Sequence, residues 1–165
     1  MLRSISIFFL LSLSLLLSCI AQQPKKLFDI RFGGSFSDKL FSVAKTNDGG
    51  YIAVGWSNSS ISSDKSANSR GGNDFWIIKM NSNYQKEWDK TFGGDDRDAG
   101  LKIIQSSDGS YLLIGHGRSN IGGDKTSKMG TWDFWVLKLS STGDKIWDRC
   151  YGGLDDDPID RKSVV

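Results

Sequence analysis

Four groups of residues in this sequence have types and spacing that could do chemistry. Asp64, Ser66 and Asn68 alternate as oxygen ligands do in a calcium loop, Asp74 follows them, and Asp38 stands at the same end of the unit. The related segment Asp124 to Lys128 puts a lysine where the third oxygen should be, which favours aspartates that cap turns by accepting backbone N–H bonds. The sole histidine, His116, takes the place that Trp56 has one repeat earlier, and no metal pair or nucleophile and base assembles around it, so it reads as a packing or surface residue. The Gly-Gly pairs follow strands but open no helix and lack a lysine at the offset of a phosphate cradle, so they read as turns. Tryptophan could stack on a sugar face, but Trp76, Trp88, Trp135 and Trp147 recur at strand positions where packing between units explains them. Trp132 has no counterpart in the other repeat and is the one aromatic singled out for stacking. No catalytic residue, metal site or cofactor is expected, and the chain reads as non-enzymatic.

A fifth candidate is covalent. Arg3 precedes an apolar run from Ile5 to Leu17 that stops at Leu16-Leu17-Ser18-Cys19, followed by the polar Gln22-Gln23-Pro24-Lys25-Lys26. The run is shorter than the roughly 20 residues that cross a hydrocarbon core, so residues 1–18 read as a secretory signal. Cys19 is then the expected lipid attachment site and residues 19–26 a tether; a plain signal peptide cleaved nearby is the alternative. Cys150 stands where the preceding repeat has Thr91 and reads as a small strand residue.

The elements that position these residues come from an internal repeat. Lys-Leu-Phe-Asp-Ile-Arg-Phe-Gly-Gly ends at Gly34, Lys-Glu-Trp-Asp-Lys-Thr-Phe-Gly-Gly at Gly94 and Lys-Ile-Trp-Asp-Arg-Cys-Tyr-Gly-Gly at Gly153, intervals of 60 and then 59 residues. A period of this length means stacked units that cannot bury their apolar faces alone. Each unit resolves into four short strands. The first runs from Leu40 to Thr46 or Leu101 to Gln105, and an Asp-Gly hairpin leads to the second, Tyr51 to Trp56 or Tyr111 to His116. The third, Phe75 to Met80 or Phe134 to Leu139, is apolar on both faces like the second, and such strands must be covered from both sides. On the fourth, Trp88, Lys90 and Phe92 share one face and Glu87, Asp89 and Thr91 the other, which predicts a half-exposed outer strand. An orphan copy of that strand is expected at Leu27 to Phe32. The loops from Ser57 to Asn73 and Gly117 to Trp132, and the links carrying Asp38, Asp98 and Asp157, emerge at one end. Loops of that length are functional or disordered.

Formal charge is +2 and falls to +1 without residues 1–18, with lysines and arginines spread among aspartates, which argues against nucleic acid as a partner. The motifs resemble a repeat common in secreted and surface proteins of Bacteroidetes-type bacteria: aromatic-Gly-Gly, a downstream Asp, Asp-Gly-Gly-Tyr, Asp-aromatic-Trp, and a Trp before the next aromatic-Gly-Gly. The likeness covers residues 27–153. It implies a β-propeller-like fold, and its members often carry further copies and a sorting domain for the type IX secretion route, where this sequence runs from Leu154 to Val165 as a divergent tail.

The expectation is therefore an all-β, propeller-like domain over residues 27–153, with two four-stranded antiparallel blades (units near 35–94 and 95–153) and the extra N-terminal strand. It would be a cell-envelope lipoprotein, anchored in the outer membrane or at the surface, or else secreted, acting as a binding or interaction module for a protein or glycan. The alternatives are a truncated copy of a longer repeat protein without its own ligand, and a carbohydrate- or calcium-binding module. Two blades leave apolar outer faces, with Ile52, Ile77, Leu112 and Val136 expected on them, so a homo-oligomer is a candidate state.

Overall fold

The computed structural model describes residues 29–153. The expected signal segment, Cys19 with its expected tether, the first residues of the expected orphan strand, and the tail with Asp157 lie outside them. Eight strands follow in order: β1 Asp38–Lys45, β2 Tyr51–Ser57, β3 Asp74–Met80, β4 Lys86–Phe92, β5 Asp98–Gln105, β6 Tyr111–Gly117, β7 Asp133–Leu139 and β8 Lys145–Tyr151. They form two antiparallel sheets, β1-β2-β3-β4 and β5-β6-β7-β8, each a simple meander. Its tight turns follow from composition: Gly49 and Gly109 take φ of 83° and 84°, and Thr46 N–H donates to the Gly50 carbonyl as Ser106 N–H does to that of Ser110.

The two sheets pack through unlike faces. Ile52, Val54, Phe75, Ile77 and Phe92 of the first sheet meet Tyr111, Leu113, Trp135, Leu137 and Leu139 of the second in one buried cluster. Phe75 stands edge-on to Trp135 with ring centroids 4.8 Å apart, and Trp88 edge-on to Tyr111 at 6.2 Å. By register Ile52 corresponds to Leu112 and Leu113 to Ala53, so the face that one repeat turns inward is the face the other turns outward. Exposure tracks this directly: Ile103 is 1% exposed between the sheets and its counterpart Val43 is 66% exposed on the outer side, whereas Ala44 packs on the core and its counterpart Ile104 is 46% exposed. Leu112, Ile114, Phe134 and Val136 are half-buried on the open face of the second sheet. Ile52 and Ile77, expected on an outer face, are instead wholly buried, because the second sheet covers that side of the first. Trp147 is likewise not between units but 37% exposed on the open face.

Two further expectations are corrected. Residues 29–32 form no strand; Phe32 is instead held by its side chain, which packs against Ala53, Trp76, Ile78 and Met80. The fourth strand is half-exposed as expected, but on the face that carries Glu87, Asp89 and Thr91 only Glu87 stays exposed; Asp89 and Thr91, with Asp148 and Cys150 on β8, are each under a tenth exposed, because the long loops fold back over them and supply hydrogen bonds.

Candidate functional site

The chemistry-bearing residues gather at the end where the long loops emerge, and most of their polar atoms answer to one another. Asp89 Oδ2 accepts from the Trp76 indole and the Ser66 amide at 3.0 Å, and Asp148 Oδ2 from the Trp135 indole at 3.0 Å and the Thr126 amide at 2.8 Å. Burial pushes both carboxyls up; the Ser66 amide, Lys86 and Trp76 at Asp89, and Lys145, Thr126 and Trp135 at Asp148, together hold them below the usual range. Two buried lysines thread the loops. Lys65 Nζ donates to Thr91 Oγ1 at 2.8 Å and to the Ala67 carbonyl at 2.6 Å, and burial lowers its pKa. Lys125 Nζ donates to the Gly117 and Ser119 carbonyls at 3.0 Å, above the Trp135 ring and 3.9 Å from Asp133.

The Gly-Gly amides that could have cradled a phosphate are given to carboxylates. Gly33 N–H donates to Asp64 and Gly34 N–H to Asp38, and one repeat later Gly93 N–H donates to Asp124 and Gly94 N–H to Asp98. A Cβ on Gly94 would sit 2.7 Å from that of Ser119, whose hydroxyl bonds Asp98, so the second glycine makes room for the loop. The four oxygens considered for calcium are dispersed by the same geometry. Asp64 caps Gly33, Ser66 N–H is drawn to Asp89, Asn68 accepts from Ile61 N–H and Asp74 from Arg70 N–H. Among the described residues no three His, Cys, Asp or Glu side chains converge as metal ligands would. Cys150 gives its thiol to the Ser127 carbonyl at 2.8 Å, and burial raises its pKa.

Two acids are not satisfied. Asp74 Oδ1 and Asp98 Oδ1 are buried without a hydrogen-bond partner among the described residues. Burial, with Asp98 adding repulsion against the pull of Arg70 and Lys65, raises Asp74 to about 6. The folded state therefore binds a proton that the unfolded chain releases between pH 3.8 and about 6. The stability this proton supplies is complete below 3.8 and lost as pH rises through about 6. Asp74→Asn should accordingly gain on the wild type by about 2–3 kcal/mol between pH 4 and pH 7.5, measured by urea unfolding at fixed ionic strength. A difference that stays constant with pH would contradict the assignment.

Beside this network a cleft of about 230 Å³ opens at the loop end. Trp56 from the end of β2, His116 from the end of β6 and Trp132 from just before β7 line it, with Asn73, Arg97 and Asp98 from the segments that enter β3 and β5. His116 meets Trp132 edge to face at 5.1 Å, its imidazole makes no hydrogen bond among the described residues, and burial pushes its pKa down, which leaves it uncharged at neutral pH. Lys39 Nζ lies over the Trp56 ring at 5.7 Å. Arg97 is exposed, and its guanidinium has no hydrogen bond or ion pair among the described residues. Of the residues read from sequence, the structure brings Trp132 and His116 together here and places Asp64, Asp38 and Cys150 in the structural network instead. Sequence reasoning missed Arg97, the role of Trp56, and the buried Lys65 and Lys125; the Asp-Lys pair repeated at the same place in both loops was the available signal for the lysines.

Fold and site together define an all-β protein of two repeated four-stranded sheets with an aromatic cleft at its loop end. No family model matches the chain, and no curated protein matches it as a relative.

Proposed function

We infer that this is a non-enzymatic, lipid-anchored binding module of the cell envelope, its sheets acting as propeller-like blades and its ligand entering the loop-end cleft. The observation that carries the reading is the cleft: aromatic walls with a few polar groups at their edge suit binding, and its one neutral histidine has no nucleophile or acid hydrogen-bonded to it. The packing of unlike faces supports the blade reading, since successive units of a repeat array meet in this way. Anchoring rests on Leu16-Leu17-Ser18-Cys19; among the described residues no helix is long and apolar enough to cross a membrane. The open face of the second sheet favours a second reading, a copy from a longer repeat protein in which another unit covers Leu112 and Val136.

Two measurements test the function. Cys19→Ala should move the protein from the membrane pellet to the soluble fraction and remove a lipid mass from the mature N-terminus. The full chain in detergent, applied to glycan and peptide arrays, should give signals that Trp56→Ala abolishes. Unchanged fractionation with blank arrays sinks the proposal.

A further inference from the structure

We propose that the cleft binds a saccharide bearing a carboxylate, with a pyranose ring against Trp132 and the carboxylate on Arg97. The proposal rests on the binding-module reading and names its ligand class.

Three observations lead to it. Trp132 is half-buried and its ring stands perpendicular to that of His116, with centroids 5.1 Å apart, at the wall of the cleft. An indole packed in this way offers a flat apolar surface to the axial C–H groups of a sugar ring. Secondly, the charge around the cleft is one-sided. Among the described residues Arg97 and Lys39 have no acidic partner, whereas the neighbouring Arg118 is paired with Asp96 at 3.2 Å. The acid at the cleft, Asp98, is wholly buried, has one oxygen given to Gly94 N–H and Ser119 Oγ, and forms no ion pair with Arg97 or Lys39 among the described residues. Thirdly, a guanidinium without a partner beside an aromatic wall is the arrangement that takes a carboxylate through two parallel N–H···O bonds, and a lysine cannot reproduce that fork. Asn73 adds an amide, donor and acceptor both, for ring hydroxyls. A nucleotide phosphate would suit the cations as well, but the Gly-Gly amides that would cradle it are already given to aspartates.

The test uses the full chain in detergent at pH 7, titrated by calorimetry and tryptophan fluorescence with trigalacturonic acid, a hyaluronan tetrasaccharide and sialyllactose, each beside its methyl ester. At least one acid should bind saturably, with its ester roughly tenfold weaker or worse, and Arg97→Ala should cause a comparable loss that Arg97→Lys only partly restores. Trp132→Ala should cost tenfold or more while leaving the melting temperature of the free protein within about 2 °C, as a side chain at a cleft wall allows. An acid and its ester binding alike, both lost in Trp132→Ala, would overturn the carboxylate assignment and leave the cleft as a sugar site. No binding by any of the three acids overturns the proposal outright, and if the arrays are blank as well, the binding-module reading falls with it.

Discussion

Asp148→Ala is expected to lower the unfolding free energy at pH 7 by about 3–5 kcal/mol. The carboxylate is nearly wholly buried on the inner side of β8, and it ties four partners from three stretches of chain: the Trp135 indole, the amide and hydroxyl of Thr126, and Lys145. Alanine would leave the indole and the Thr126 amide without acceptors in a dry environment, and the loop from Gly117 to Trp132 would keep only its ties through Cys150, Lys145 and Lys125. The loss should appear as a fall in melting temperature of roughly 10–20 °C. Asp148→Asn should fall between wild type and alanine, because an amide can still accept from the indole but turns a donor toward Lys145. In a double-mutant cycle with Trp135→Phe, the two losses should be well short of additive. A loss below about 1 kcal/mol would show that the bonds are replaced by water and that the loop is not held as described.

Gly115→Ala should be of similar size for a different reason. Gly115 lies opposite Gly100, beside the register shift between Gly100 and Lys102, and a Cβ there would overlap the Ala99 carbonyl oxygen and come within 2.5 Å of the Phe75 ring. Neither obstacle is the free end of a flexible side chain. The bulge would have to open and the two sheets part where Phe75 meets Trp135, for about 3 kcal/mol or more, and Gly115→Val should not fold. Gly109→Asn is the control: that glycine has φ of 84°, a Cβ there would meet only the Ser141 Cβ at an ordinary contact distance of 3.7 Å, and asparagine tolerates the conformation, so its loss should stay under about 1 kcal/mol. Urea unfolding of the three variants decides the matter, and a Gly115→Ala loss equal to the control would mean that the sheets are not in contact at this strand.

Much of this architecture was legible in the chain. The strands and hairpins follow from alternation, apolar runs and Asp-Gly pairs, and the three aromatic-Gly-Gly stretches fix the period, because these signals are local. What was not legible depends on how a loop lies over a sheet. Asp89 and Thr91 look like a solvated face until Ser66 and Lys65 are laid across them, and Lys65 itself looks like a surface charge in a polar loop. The cleft is hidden for the same reason: Trp56, Arg97, His116 and Trp132 are separated by 76 residues from first to last and meet only once the two sheets are packed. Trp132 was the exception, visible through its lack of a counterpart in the other repeat.

The joining of unlike faces has a consequence for growth. Two equivalent faces meeting about a two-fold axis would satisfy each other and finish the structure; a contact between the front of one unit and the back of the next leaves a new front of the same kind. Adding a repeat to such a series therefore does not reduce its exposed apolar face but hands it on, from Ile52 and Ile77 to Leu112 and Val136 and then to whatever follows. A gene that lengthened by duplication under this rule would find no natural stopping length short of a closed ring, and every intermediate along the way would carry the same sticky end.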